Sequence, residues 1–562
     1  MRREVSVVNK KVCSFPILFA LLALLIGTCA VVFPASAQAA PTSTGSITVS
    51  GTVASSYDAY QIFSANVVDG DSDAKIATDL AWANDAARDA ALPVLHSAGM
   101  PNSQTTAQEA AEWLNTDSHL TSALSAQLAR SLQSSGAEPV ALNAGTAAEL
   151  PCGYWLIVAK DDAIAQGEAG TAPIMALVGG SAVTVKPKAA TPKVAKHVLE
   201  DSTAAWGKAA DATVADDLYW RLSATVPAGL TAYDTYAVQF VDTMSAGLDP
   251  SKVAASMRVY VAAGADGGFD AVPTGKDGHA DTEPAKGWTD ITAQCVTKMA
   301  ADGTFTVRTG DLIAALGGAD AFTAGARVVA VYNAPLSSAC SHGIAKGNPN
   351  EVYLRYPRSP FADQSGDAGF TRTPSDDACA YTWDLALTKR GSDGDKPLAG
   401  AVLSIADDRG RTLAADGTWD AEGKATVTTG EDGRVTVSGV DSGKLKVREL
   451  KAPKGYTAFE GARSVTVKAE GLDVDQVAAA KPKLTITAES PLRADSADGS
   501  TGSLEASLIN TPTGTPPSIT TGGFMPSTGD MAMYAAAAAA VAGAALIVVA
   551  LLVKRGGGSH KE

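Results

Sequence analysis

Leu445-Lys446-Val447-Arg448-Glu449-Leu450-Lys451-Ala452-Pro453-Lys454-Gly455-Tyr456 begins as a strand, with apolar Leu445 and Val447 alternating with Lys446 and Arg448. That period of two belongs to a strand with one buried face, and Pro453 and Gly455 then break it. Working outward, residues 386–389, 402–405 and 434–438 alternate in the same way, so residues 385–510 read as an all-β domain. Upstream, residues 219–224, 236–240 and 328–332 are further strands separated by Gly/Asp/Pro loops, as in a β-sandwich. Residues 262–286 are rich in Gly and Asp and read as an exposed loop.

The first segment is mixed. Residues 45–50 alternate as a strand, and residues 153–158 (GYWLIV) form a continuous apolar strand. Over residues 105–132 the period becomes helical, with Leu120, Leu124, Leu128 and Leu132 on one face as core. The Pro/Lys/Ala run 185–196 (VKPKAATPKVAK) and the Thr/Pro/Gly run that follows residue 510 are linkers. The expected fold is mainly β: tandem immunoglobulin-like β-sandwiches preceded by a mixed α+β N-terminal domain. The expected boundaries are 1–39, 40–188, 189–384, 385–510, a linker at 511–524, and 525–562.

The two ends have their own character. Arg2, Arg3, Lys10 and Lys11 precede an apolar run from 15 to 33, followed by the A-x-A sites Ala35–Ala37 and Ala37–Ala39. These are the parts of a cleaved secretory signal peptide, with the mature start between 38 and 40. At the other end, residues 532–553 are apolar for long enough to cross a ~30 Å hydrocarbon core at ~1.5 Å per residue. Lys554 and Arg555 follow, and positive charge there holds that end in the cytoplasm.

Of the chain's 562 residues, 45 are Lys or Arg and 60 are Asp or Glu, for a net charge of −15. Nucleic-acid binding needs a basic face, so nucleic acid is excluded as a partner. Cys13 and Cys29 fall in the signal peptide, leaving Cys152, Cys295, Cys340 and Cys379 in an oxidising compartment. An even number there predicts at least one disulfide, with pairing among Cys295, Cys340 and Cys379 favoured and the connectivity open. The six His are scattered and no C-x-x-C occurs, so no metal centre or cofactor is expected. Asp69-Gly70-Asp71-Ser72-Asp73 lacks the rest of a calcium loop and reads as a polar turn. No Gly-x-Ser-x-Gly, His-Glu-x-x-His or phosphate loop is present, and the chain is not read as an enzyme.

Met525-Pro526-Ser527-Thr528-Gly529, followed by the apolar span and basic tail, resembles the sorting signal of sortase substrates, with Met525 in place of Leu. The resemblance implies attack of a sortase cysteine on the Thr528 carbonyl, release from Gly529 onward, and capture of the thioester by an amine. Other stretches resemble the major (backbone) pilins of Gram-positive bacteria: residues 57–63 (YDAYQIF), Tyr236 through Leu248 with Phe240-Val241-Asp242-Thr243, and Leu398-Ala399-Gly400-Ala401, which resembles the opening of a CnaB-type domain. Val183-Thr184-Val185-Lys186-Pro187-Lys188 matches the family's acceptor motif except at Lys186. By that resemblance Lys188 receives Thr528 of the neighbouring subunit, with Lys186 and Lys193 as competitors.

The opening stretch resembles the family's E-box, Leu450 replacing a Thr. The resemblance implies that Glu449 drives an internal isopeptide bond between Lys389 and Asn510. Burial lowers the lysine pKa, and a buried, protonated Glu449 polarises the Asn510 carbonyl and relays protons as ammonia leaves. In the second domain Lys196 and Asp242 stand at the family's lysine and acid, but Arg358 stands where the asparagine belongs. Asn333, Asn348 and Asn350 are substitutes without a clear match. The implied protein is a secreted, wall-anchored shaft subunit of a pilus. Its expected partners are pilin-specific and housekeeping sortases, further copies of itself, peptidoglycan and a host receptor that the sequence does not name. The competing reading is a monomeric wall-anchored adhesin or an accessory pilin.

Overall fold

The computed structural model describes residues 43–71, 74–116, 118–187, 191–228, 230–264 and 287–514. The stretches read as signal peptide, sorting signal and apolar span, together with Lys188 and residues 265–286 of the expected loop, lie outside these residues, and Ala262, the expected start of that loop, instead ends the strand Arg258–Ala262. Among the described residues no helix is long and apolar enough to cross a membrane.

The architecture is mostly β, with six sheets among the described residues. In the first domain a five-stranded sheet is built on Ser56–Asp69 and Gly153–Ala159. Leu156 and Val158 meet a layer of helices (Asp85–Ser97, Ala107–Asn115, Ser122–Ser134), while Trp155 and Ile157 meet a three-stranded sheet containing Thr44–Val49. Both faces are buried, which is why this strand is apolar without alternation. Gly153 is required there: at φ +141°, a Cβ would stand 2.0 Å from the Phe63 carbonyl oxygen.

The single helical stretch expected over 105–132 is two helices. Thr106 caps the first in a capping box with Glu109, and Thr121 caps the second through Leu124 N–H. Leu120 precedes that second cap and packs on the core from outside the helix, whereas Leu124, Leu128 and Leu132 lie on its buried face. The strand expected at 236–240 runs instead from Gln239–Met244.

The second domain pairs a six-stranded sheet, including Val194–Glu200, Tyr219–Thr225 and Arg327–Asn333, with a seven-stranded sheet including Gln239–Met244 and Asn348–Pro357. Val194–Glu200 thus starts inside the run read as a linker. The third pairs a four-stranded sheet with a seven-stranded one containing Val402–Ala406 and Gly443–Lys451. Its first and last strands, Trp383–Gly391 and Ser503–Asn510, are parallel neighbours, with Lys389 opposite Leu508.

The expected disulfide is not formed. Among the described residues Cys152, Cys295, Cys340 and Cys379 are all free thiols. Cys379 is packed in the core beside Gly347 and Tyr381, and Cys295 Sγ donates to Ile291 O at 3.3 Å. An even count fixes neither distance nor pairing, and here each thiol fills space as a small apolar group. Burial pushes the Cys340 and Cys379 thiols up to about 11.

The second and third domains meet over carboxylates. Asp211 accepts from Trp383 Nε1 (2.6 Å) and from Ser442 N and Oγ (2.9 and 2.6 Å), and Arg411 binds Asp216. Burial first, and the Asp211 charge second, push Glu200 up from 4.5 to about 7. The folded chain therefore holds a proton on Glu200 that the unfolded chain has released, so stability falls as pH rises from 4.5 through 7. A melting temperature for this domain pair that falls from about pH 5 to about pH 8 is the expected result; a flat profile over that window contradicts the assignment.

Candidate functional site

In the third domain three buried strand faces each end in a polar residue. Trp383, Leu385 and Leu387 lead to Lys389; Leu445 and Val447 lead to Glu449; Leu504, Ala506 and Leu508 lead to Asn510. The strand period dictates this: a residue two positions beyond a core residue points into the core. Leu450, the departure from the motif, is exposed and leaves the inward face intact.

The three residues meet. Asn510 Nδ2 donates to both Glu449 oxygens at 2.9 Å, so Glu449 faces the amide nitrogen and not, as expected, the Asn510 carbonyl, whose Oδ1 has no hydrogen-bond partner among the described residues. Lys389 Nζ lies 3.8 Å from Glu449 Oε1, with the lysine and glutamate side chains fully buried. Lys389 Nζ also donates to Leu508 O at 3.1 Å, two residues before Asn510 on the same strand. The Phe459 N–H donates to Glu449 Oε2 at 3.2 Å and helps fix the carboxylate. Burial lowers the Lys389 pKa to about 8, against the opposing pull of Glu449. A lysine in that range supplies the neutral amine that attack on a carboxamide requires.

The end of the motif closes over this site. Thr457 N–H donates to Thr511 O (3.0 Å) and Thr513 N–H to Gly455 O (2.8 Å), so the Gly-Tyr turn clips the chain just past Asn510. The Tyr456 hydroxyl donates to Asp393 at 2.8 Å and lies where a Cβ on Gly391, opposite Asn510, would stand 2.8 Å away. Asp393, Phe459 and the Leu508 carbonyl are members of the site that sequence reasoning missed. The last two act through backbone groups, which leave no side-chain signal.

The second domain repeats the arrangement with different parts. Lys196 and Asp242 are fully buried and paired, Lys196 on one sheet and Asp242 on the other. Arg358, at the expected asparagine, lies outside this cluster and reaches Asp161 O of the first domain (3.3 Å). Of the three substitutes, Asn333 is engaged by Leu218 N and Asp217, and Asn348 by Ser341. Asn350 is the one that reaches the cluster: its Nδ2 donates to the Tyr332 hydroxyl at 2.8 Å, and the same hydroxyl donates to Asp242 Oδ2 at 3.0 Å and accepts from Lys196 Nζ at 2.9 Å. Burial brings Lys196 down to about 8, opposed by Asp242, and raises Asp242, opposed by Lys196.

Residues 384–481 match the family model of the SpaA prealbumin-like fold domain. That stretch contains Lys389 and Glu449, while Asn510 lies beyond it. The chain is also 32% identical over 120 residues to the trypsin-resistant surface T6 protein of Streptococcus pyogenes serotype M6, covering 20% of each. The match thus spans about a fifth of that relative's length. Among solved structures, the T6 backbone pilin of the same serotype is similar with TM-score 0.45 at 17% identity, over 84% of this chain and 98% of that one. The full-length major pilin SpaD of Corynebacterium diphtheriae is similar with TM-score 0.40 at 15% identity, over 84% and 98%.

Among the described residues no group of three or more His, Cys, Asp or Glu forms a metal site. Lys186 and Lys193, the competitors of Lys188, are both exposed.

Proposed function

We propose that the chain is the structural shaft subunit of a covalent cell-surface pilus, secreted and anchored to the wall. Sortase joins Thr528 of one subunit to Lys188 of the next, and internal Lys–Asn isopeptide bonds stiffen each subunit. The observation that carries this reading is the buried contact of Lys389, Glu449 and Asn510 between the first and last strands of the prealbumin-like domain. Those strands are where tension enters and leaves a domain pulled by its two ends, so a covalent tie between them lets force bypass the sandwich.

The self-modification balances without a cofactor. Neutral Lys389 Nζ attacks the Asn510 side-chain carbonyl carbon, the new C–N bond forms, and the bond to Nδ2 breaks. Glu449 accepts from Nδ2 and lies 3.8 Å from Nζ, so a small approach lets it take the proton that Nζ loses and return it to Nδ2, which leaves as ammonia. A second bond, from Lys196 to Asn350 with Asp242 as its acid, is supported by the same logic in the second domain. Each site turns over once, so the protein is a substrate of its own chemistry and a building block.

Co-expression with a pilin-specific sortase tests the polymer. Wild-type chain is expected to give a ladder of multimers that survives boiling in detergent, and Lys188→Ala is expected to give monomer alone. Persistence of the ladder in Lys188→Ala would shift the acceptor to Lys186 or Lys193. A wild-type chain that never forms a ladder would favour the monomeric adhesin or accessory pilin.

A further inference from the structure

The two clusters differ in how the acid reaches the asparagine. Glu449 bonds the Asn510 amide directly through both oxygens. Asp242 has one methylene fewer and sits opposite Val352, whereas Asn350 is opposite Met244, one pleat step away. Among the described residues Asp242 Oδ1 and Asn350 Oδ1 have no hydrogen-bond partner. The Tyr332 hydroxyl fills the interval.

Tyr332 is held there from three sides. It lies on the inward face of Arg327–Asn333, after Val328 and Ala330, and is fully buried. Its ring packs edge-on against Phe305, with centroids 4.9 Å apart. Its oxygen accepts from both nitrogens that would exchange places, Lys196 Nζ and Asn350 Nδ2, and donates to the acid. An ordinary core tyrosine needs one partner for its hydroxyl; this one has three, and all belong to the reaction.

We propose that Tyr332 is a catalytic residue of the second site, relaying the proton between Asp242 and the leaving nitrogen of Asn350. This rests on the Lys196–Asn350 reading given above. Asp242 takes a proton from the Lys196 ammonium, and the neutral amine attacks the Asn350 side-chain carbonyl carbon. In the resulting tetrahedral intermediate Nδ2 is an amine and accepts the Tyr332 hydroxyl proton. The phenolic oxygen is refilled from Asp242 as Asp242 collects the second Lys196 proton. The C–Nδ2 bond breaks, ammonia departs, and Asp242 is left protonated. No oxidant or co-reactant is consumed, and burial keeps the phenol protonated until it is called on.

The test follows the linked Lys196–Asn350 peptide by tandem mass spectrometry at increasing times after a labelling pulse, in the mature protein. Tyr332→Phe keeps the ring and its packing and removes the hydroxyl with its three hydrogen bonds. The expected result is link formation slowed by ~100-fold or more, the scale of general acid–base catalysis, while the Lys389–Asn510 link in the same molecules forms at the wild-type rate. Asn350→Ala and Asn350→Ala/Tyr332→Phe, neither able to link, are expected to melt within a few degrees of each other. Equal rates in wild type and Tyr332→Phe would overturn the relay and leave the bond standing. So would a large loss of melting temperature on adding Tyr332→Phe to Asn350→Ala, which would assign the hydroxyl to packing. A wild-type protein that never links Lys196 to Asn350 would instead overturn the reading beneath it.

Discussion

Glu449→Gln is expected to leave most molecules unlinked at Lys389 on the time scale in which wild-type chains finish the reaction. The amide keeps the volume and a polar contact but cannot carry a proton between the two nitrogens, and such transfers contribute ~10²–10⁴-fold. Glu449→Ala should be worse. It removes the carboxyl group that faces Lys389 Nζ at 3.8 Å and holds the Asn510 amide, and breaking a buried pair by removing one partner costs about 3–5 kcal/mol. The measurement is the fraction of chains lacking one ammonia against time. Its pH dependence has a definite sign, because the Lys389 pKa is lowered to about 8. Below that value most of the lysine is protonated, so the rate should climb with pH and level off near 8. A Glu449→Gln protein that links at the wild-type rate would remove Glu449 from the chemistry.

Asn510→Ala addresses stability, and its effect should be the largest among changes that leave the other core residues in place. The proposed Lys389–Asn510 bond would close a loop of about 120 residues, for which chain entropy gives on the order of 5 kcal/mol. In a domain of this size that corresponds to roughly 10–20 °C of melting temperature. The variant should also show a pH signature that the linked protein lacks. Its free Lys389 binds protons less readily folded than unfolded, so stability should rise as pH climbs from about 8 toward 10.5. If the variant melts with the wild type, the bond is absent or carries no load.

Much of the third-domain site is legible in the sequence because strand alternation is a local property. Leu445, Val447 and Glu449 share a face by counting in twos, as do Leu385, Leu387 and Lys389, and a charged residue continuing a core face needs partners. Asn350 is different. Its role depends on the pairing of Asp242 with Val352 across a sheet and on Lys196 arriving from the opposite sheet, neither of which a linear motif encodes. Tyr332 reads as part of a strand and not of a site, since a buried aromatic on an inward face is ordinarily core. The helical layer was read least well: the Asp85–Ser97 helix, with Pro93 inside it and alanine on its buried face, carries a weak apolar signal. The disulfide failed because composition constrains oxidation state without constraining distance.

The proposed function rests on lysine–asparagine bonds that tie the domains of this chain shut. The mass of the intact mature chain tests it most directly, followed by location of any cross-linked peptides. The expected mass is short of the sequence value by two ammonia molecules, unchanged by reduction, with links at Lys389–Asn510 and Lys196–Asn350. A mass equal to the sequence value, with Lys389 and Lys196 recovered in ordinary linear peptides, would contradict it.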